Sequence, residues 1–285
     1  VFRRPSRRAF LAACGSTLAG AGGLGFYTSR IEPHWLEFVK HRLPVRALPA
    51  PLAGRTLLQI SDVHAGAVDD DYVIDAFTRA AALAPDIVVF TGDFITYHAG
   101  AIGQARRAYR HFPRGRLATV GILGNHDYGP DWAHPEIAGQ VVKMATSLGI
   151  TVLRNQSTVV EGLHVVGFDD WWAHRFDLSA ALPGLSRGLP AIVLSHNPDT
   201  ADLPGWNSFD GWILAGHTHG GQCKPPFLPP PVLPVRNKRY TSGAFDLSGG
   251  RRMYISRGVG HFLKVRFNAR PEITLHELHP EAQST

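Results

Sequence analysis

The chain has 285 residues, 44% apolar and 18% charged. That is enough apolar surface for one large domain or two small ones, and too much for a disordered chain. The net charge is +6, but residues 1–30 hold five arginines and no acid; the rest sets 24 basic against 23 acidic residues, which removes the broad positive field expected of a general nucleic-acid binder. With only Cys14 and Cys223 present, a disulfide scaffold is excluded, and Cys223 reads as a packing residue.

In chain order, Ser6-Arg7-Arg8-Ala9-Phe10-Leu11 resembles a twin-arginine export signal. The uncharged stretch from Phe10 to Tyr27 is rich in Ala and Gly and weakly apolar for a membrane span. Ala19-Gly20-Ala21 offers a cleavage site. Leu11-Ala12-Ala13-Cys14 resembles a lipoprotein box, but it follows Arg8 too closely to leave an apolar region and is read as chance. Residues 1–30 are expected to be a signal peptide and 31–285 a single domain. The expected destination is the periplasm or cell envelope, reached with the twin-arginine export machinery as partner. An uncleaved leader would leave the protein membrane-anchored.

Ile31 to Val39 with Leu43-Pro44-Val45 predicts an opening strand with a break. Leu57–Ser61, Asp86–Thr91 and Leu117–Leu123 are short apolar runs that read as buried strands. Between and after them, Asp71–Leu83, Ile102–Phe112 and Pro135–Leu148 read as amphipathic helices, the last with Pro135 in its first turn and Gly149 past its end. Strand–helix alternation implies a parallel sheet with crossover helices. Further short strands are expected at Thr151–Leu153, Thr158–Val160, His164–Phe168, Ala191–Ser195, Gly211–Ala215, Met253–Ser256, Lys264–Phe267 and Ile273–Glu277. The fold class is α/β, with two mixed β-sheets packed face to face as a sandwich and flanked by helices.

Residues 224–235 are too proline-rich for a central strand and stiff by composition. They predict a rigid surface loop or a wall for a substrate. Residues 224–270 carry ten Lys and Arg and one acid, Asp246, which leaves the rest of the mature chain near −8. That stretch is either a solvated basic face or a rim that attracts phosphate.

Five of the apolar runs end in Asp, His or Asn. The endings are Asp62-Val63-His64, Gly92-Asp93, Gly124-Asn125-His126-Asp127, His196-Asn197 and Gly216-His217-Thr218-His219. Ligands of open α/β sheets bind outside the carboxyl ends of strands, so these endings predict one convergent site. Carboxylate, imidazole and amide donors suit Mn, Fe or Zn. Without cysteine, a structural zinc site is disfavoured. The donors outnumber what one ion needs, which points to two divalent metal ions acting on phosphate esters or amides.

In this order, D-x-H, Gly-Asp, Gly-Asn-His-Asp, a lone His and Gly-His-x-His resemble the calcineurin-like metallophosphoesterases over roughly residues 31–278. The leader, Glu32-Pro33-His34-Trp35, Gly167-Phe168-Asp169-Asp170, His217 to Gln222 and Ser256-Arg257-Gly258-Val259-Gly260 resemble a bacterial exported phosphodiesterase branch. The resemblance implies a four-layer αββα fold. It implies one ion on Asp62, His64, Asp93 and His219, and another on Asp93, Asn125, His196 and His217, with Asp93 and a hydroxide bridging them. It also implies that His126 assists the reaction beside the metals and that Asp127 orients the His126 ring. Asp170, Arg257 and His261 are candidate substrate contacts, and Trp171 and Trp172 are candidate pocket walls. One departure is His261-Phe262-Leu263-Lys264, where the branch often has a small polar residue and proline.

The expected function is an exported phosphoesterase, chiefly a phosphodiesterase, on a phosphate-ester substrate of the cell envelope or linked to a lipid. A pyrophosphatase acting on a nucleotide-linked lipid precursor (UDP-2,3-diacylglucosamine type) is the runner-up; the export signal argues against its cytoplasmic substrate. A non-catalytic metal-binding scaffold would predict lost ligands, and none is lost. A nuclease lacks a separate DNA-binding module, so no specific nucleic-acid partner is expected.

Overall fold

The computed structural model describes residues 7–281 except 98, 182–184, 186–187 and 207–208; the side chains of 7, 9–15, 17 and 18 are also outside the description. The Cys14 side chain and residues 1–6 of the leader therefore lie outside the described residues. The backbone of the N-terminal segment forms helix α1 (Arg7–Phe26). Among the described residues no helix is long and apolar enough to cross a membrane.

One six-stranded sheet has the order β1 (Glu37–Val45), β12 (Glu272–Pro280), β2 (Thr56–Ile60), β3 (Ile87–Thr91), β4 (Ala118–Ile122), β5 (Thr151–Val152). The other has the order β10 (Gly243–Asp246), β11 (Arg252–Ile255), β9 (Trp212–Ala215), β8 (Ala191–Leu194), β7 (Leu163–Gly167), β6 (Gln156–Val160). Strands β2, β3 and β4 pair in parallel, as do β7, β8 and β9. Parallel pairing sends their carboxyl ends to one edge of each sheet, and that edge carries the site.

Strand alternation divides the apolar residues into layers. Leu57, Ile87, Val89 and Val120 of one sheet pack between the sheets against Val165, Ile192, Leu194 and Leu214 of the other. The opposite faces of β2 and β3, through Leu58, Ile60, Val88 and Phe90, pack against α2 (Asp70–Ala81), α3 (Ala101–Tyr109) and α4 (Pro135–Ser147). Fully burying each such side chain contributes about 1.5–3 kcal/mol. On the far side, short α5 (Leu178–Ala181) and irregular segments bearing Trp206, Phe209, Leu233 and Tyr240 cover Val193, Ile213 and Met253. Asp69 caps α2, accepting the N–H groups of Asp71 and Tyr72.

Three local expectations change. The opening strand begins at Glu37 and runs unbroken through Pro44; β1 is an edge strand, where a missing N–H donor is tolerated. Residues Tyr27–Ile31 and Glu32–His34 form helical turns instead. Lys264–Phe267 forms no strand, and Phe267 makes only an isolated bridge to Cys223. Strand β10 and helix α5 were not legible in advance.

Candidate metal centre

The donors leave five strand ends. Asp62 and His64 follow β2, Asp93 follows β3, Asn125 follows β4, His196 follows β8, and His217 and His219 follow β9. Asp62, His64, Asp93, His217 and His219 have φ between 51° and 70°, a region uncommon for non-glycine residues. Such backbone costs roughly 1–3 kcal/mol per residue and clusters at functional sites. Gly92, with φ of 99°, gives the room this crowding needs: a Cβ there would lie 2.5 Å from His196 Nδ1.

Hydrogen bonds aim most of the donors inward, while His64 Nδ1 and Asn125 Nδ2 find no partner. The His126 N–H donates to Asp93 Oδ1 at 2.9 Å, which leaves Oδ2 to the site. The His217 N–H and Ser61 hydroxyl hold the Asp62 carboxylate. His196 Nδ1 donates to Thr91 O at 2.7 Å, and His217 Nε2 donates to Pro234 O at 2.8 Å. Those bonds fix the tautomers, so His196 Nε2 and His217 Nδ1 present lone pairs to each other at 3.2 Å. His64 Nε2 and His219 Nε2 face each other at 3.0 Å. Asp93 Oδ2 lies 3.5 Å from His64 Nε2 and 3.2 Å from His196 Nε2. Asn125 Oδ1 lies 3.2 Å from His196 Nε2.

Facing lone pairs and buried carboxylates require a cation, so the donor set fits a metal. In the protein alone a proton takes that place. Burial disfavours a charged His196, but Asp93 outweighs it and holds the imidazole up at about 10. Burial and the charge on His196 push His217 down to about 3. Burial raises the Asp62 carboxyl to about 6, with Asp93 adding to the effect. Asp62, His64 and His219, together with Asp93 and His196, are grouped closely enough to hold ions.

His126 stands beside these donors with its ring edge-on to His64 at 4.7 Å and against Tyr97 at 4.4 Å. Burial lowers its basicity, and the charge on His196 lowers it further against the pull of Asp93. Asp127 does not orient that ring. Its oxygens accept the N–H groups of Asp93, Ile95 and Gly124, while His126 Nδ1 has no partner. The carboxylate ties the β3 and β4 loops together because their turned backbones leave N–H groups unpaired.

A cavity of about 420 Å³ opens onto this cluster, with Asp93, His126, His217 and His219 on its floor. Its walls include Trp172, Pro231, Val232, Phe262 and Leu263. Of the two candidate wall tryptophans, Trp172 packs edge-on against His217 at 4.4 Å, and Trp171 lies under the Arg236 guanidinium. Cys223 is half-buried on the wall. None of the three candidate substrate contacts lines the cavity. Asp170 is buried below it, accepts the Ala173 N–H, and is pushed up to about 7 by burial. Arg257 is taken up by Glu37 and Glu272 at 2.7 and 2.5 Å and faces a separate cleft. His261 is buried near His34, and its neighbour Phe262 reaches the cavity instead. Tyr97, Phe262 and the fully buried Arg266, which donates to Arg257 O, Gly260 O and Ala269 O, were missed. Only the apolar Phe262-Leu263 pair beside a glycine turn hinted at any of them.

Residues 55–221 match the calcineurin-like phosphoesterase family. The chain belongs to that family. This phosphoesterase is 34% identical over 279 residues to phosphodiesterase YaeI of Escherichia coli, covering 96% of this chain and 99% of that protein. It is 33% identical to the uncharacterized metallophosphoesterase YkuE of Bacillus subtilis, over 97% of this chain and 98% of that protein. It is 27% identical to the UDP-2,3-diacylglucosamine pyrophosphatase LpxG of Chlamydia trachomatis, over 87% and 91% of the two chains. The phosphoesterase is a metal-dependent hydrolase of phosphate esters.

Proposed function

We propose that this phosphoesterase is an exported phosphodiesterase that uses two divalent ions, Mn, Fe or Zn. The observation that carries the reading is the position of Asp93 Oδ2 within 3.5 Å of His64 Nε2 on one side and 3.2 Å of His196 Nε2 on the other. One ion would be held by Asp62, His64, Asp93 and His219. The second would be held by Asp93, Asn125, His196 and His217. When bound, the ions supply Lewis-acid contact to phosphate oxygens and a water acidic enough to act as hydroxide near neutral pH.

The rest of the chemistry falls to the chain. The His126 N–H fixes Asp93, and its ring holds a proton beside the leaving oxygen. Trp172 and Phe262 on the cavity wall would exclude water from the bound ester. A diester suits the site because its single negative charge needs little extra neutralisation and its leaving group needs a proton. Residues 1–30 would carry the folded domain through the twin-arginine machinery to the periplasm or cell envelope, where the substrate is a phosphate ester of that compartment. No nucleic-acid partner is expected.

The test is metal content by elemental analysis together with turnover of an aryl phosphodiester and an aryl phosphomonoester after loading with Mn or Zn. About two metals per chain and faster diester hydrolysis support the reading. Less than one metal, or a faster monoester, overturns it. The LpxG relatives and the apolar cavity wall favour a second reading, a pyrophosphatase on a nucleotide-linked lipid. Turnover of UDP-2,3-diacylglucosamine above that of the aryl diester would establish that one.

A further inference from the structure

Large exposed apolar side chains are unevenly distributed on this protein. Among the described residues there are fourteen, and ten fall in three short segments. Leu24 and Phe26 end the N-terminal helix and Ile31 and Trp35 follow it; Phe227, Leu228 and Val232 lie in the proline-rich stretch; Phe262, Leu263 and Val265 follow the glycine turn. Phe227 is wholly exposed, Val232 is 73% exposed and Leu263 63%. Scattered apolar residues need no explanation, but a cluster marks an interaction surface.

The three segments are stitched together. The Gln222 side-chain amide donates to Leu263 O at 2.6 Å and Val265 O at 2.8 Å. Across the two loops the Lys224 N–H donates to Phe267 O, and the Phe267 N–H donates to Gln222 O. Arg266 N–H donates to Thr28 O, and Ala269 N–H donates to Glu32 Oε1 at 2.7 Å. Tyr27, Pro226, Phe267 and Arg270 line one shared cleft. The end of the leader helix and both cavity-wall loops therefore meet on one side of the site mouth.

Charge decides what this surface meets. Lys264 is exposed between Leu263 and Val265, Arg30 is exposed beside Ile31, and Lys224 opens the proline-rich stretch. Of the ten basic residues in 224–270, Lys224 and Lys264 flank these apolar groups, whereas Arg266 is buried and Arg257 is paired with Glu37 and Glu272. Exposed Phe, Leu, Trp and Val set among Lys and Arg match an anionic lipid interface: apolar side chains enter the acyl boundary while basic ones meet headgroups.

We propose that these loops and the leader junction dock on an anionic phospholipid bilayer, with the cavity opening toward phosphodiesters held in that surface. The proposal rests on the phosphodiesterase reading for its substrate but not for its binding. The proline-rich stretch does two jobs in it: Pro234 O holds the His217 ring, and Phe227 and Leu228 project outward.

The experiment uses the full chain. It is mixed with phosphatidylcholine vesicles that either contain or lack phosphatidylglycerol, and sedimentation reads the bound fraction. The comparison is a triple variant, Phe227→Ser, Leu228→Ser and Lys264→Glu, whose sites are exposed or edge positions outside the cavity lining. Expected are binding that requires phosphatidylglycerol, a drop of about tenfold or more in affinity for the variant, and equal hydrolysis of a soluble aryl diester by both. No vesicle binding, binding indifferent to phosphatidylglycerol, or equal binding by the variant through its leader alone would each overturn the proposal. So would a wild-type dimer, broken in the variant, that does not bind vesicles. Vesicle binding without diester hydrolysis would sink the enzymatic reading while leaving the docking surface standing.

Discussion

The floor and the walls of the cavity are built by opposite means. The floor comes from strand ends whose side chains are almost wholly buried, with positive φ at Asp62, His64, Asp93, His217 and His219. Asp62, Asp93, His196 and His217 are each aimed by a hydrogen bond to backbone. The walls come from loops without regular structure, rich in proline and exposed apolar groups such as Val232 and Leu263. A reaction at phosphorus tolerates little displacement of its charged groups, so the floor is over-determined. The wall offers apolar contact, which tolerates irregular backbone. The comparison teaches that one cavity can hold a fixed chemistry beside an adjustable specificity.

The sharpest way to break that contrast is Asp93→Asn. It should remove bound metal and lower turnover by about a thousandfold, read by elemental analysis and steady-state rates. Full metal with normal rates would show that the floor does not depend on its central oxygen. Next comes Asp127→Asn, which leaves the donors in place but weakens the carboxylate that collects three N–H groups. Metal affinity should fall about 10- to 100-fold, with the pH profile keeping its shape because His126 has lost no partner. A changed profile would restore the link between Asp127 and His126 that the structure lacks.

Metal affinity itself should fall with pH throughout the range below about 10, where His196 holds a proton, and more steeply below about 6, where burial and Asp93 leave a second proton on Asp62; both must depart before an ion binds. Titration of the metal-free protein with Mn at several pH values reads this directly; flat affinity from pH 5 to pH 8 would contradict it. On the wall, Phe262→Ala should raise KM severalfold for a diester with an apolar tail while kcat for a small aryl diester changes less. Equal effects on both would put Phe262 on the floor.

The smallest effect is expected away from the site. Burial pushes the Asp86 carboxyl up, but the Thr56 N–H and hydroxyl and the Arg116 guanidinium outweigh it and hold the group below its ordinary value. A depressed carboxylate stabilises the fold above its unfolded pKa and loses that contribution as pH falls toward its folded one. Asp86→Ala should cost about 1–3 kcal/mol near neutral pH and less in acid, by denaturant unfolding, with turnover unchanged.

Much of the floor was legible because its residues follow the strands immediately. A run such as Ile87 to Thr91, ending in Gly92-Asp93, declares both a buried strand and what it delivers. The second sheet was legible in part: His164–Phe168 and Ala191–Ser195 stood out, while β10 did not, since Gly243–Asp246 carries only Ala244 and Phe245 as apolar residues. Arg257 was misplaced because its position beside a glycine turn said nothing of Glu37 and Glu272, which are remote in sequence and claim its charge. His261 and Phe262 were transposed for a similar reason: which of two adjacent side chains faces a cavity depends on the backbone of an irregular loop.

By itself, the sequence determined the layered α/β architecture and the order of the donors, because strand period and strand-end chemistry are local properties of the chain; a reaction at phosphorus came from the resemblance that this order carries. Only the tertiary structure decided that Asp127 ties two loops rather than steering His126, that Pro234 sets the tautomer of His217, and that Thr28 and Glu32 take hydrogen bonds from Arg266 and Ala269. Those are contacts between segments far apart in sequence, and no local pattern encodes which partner a buried polar group will find.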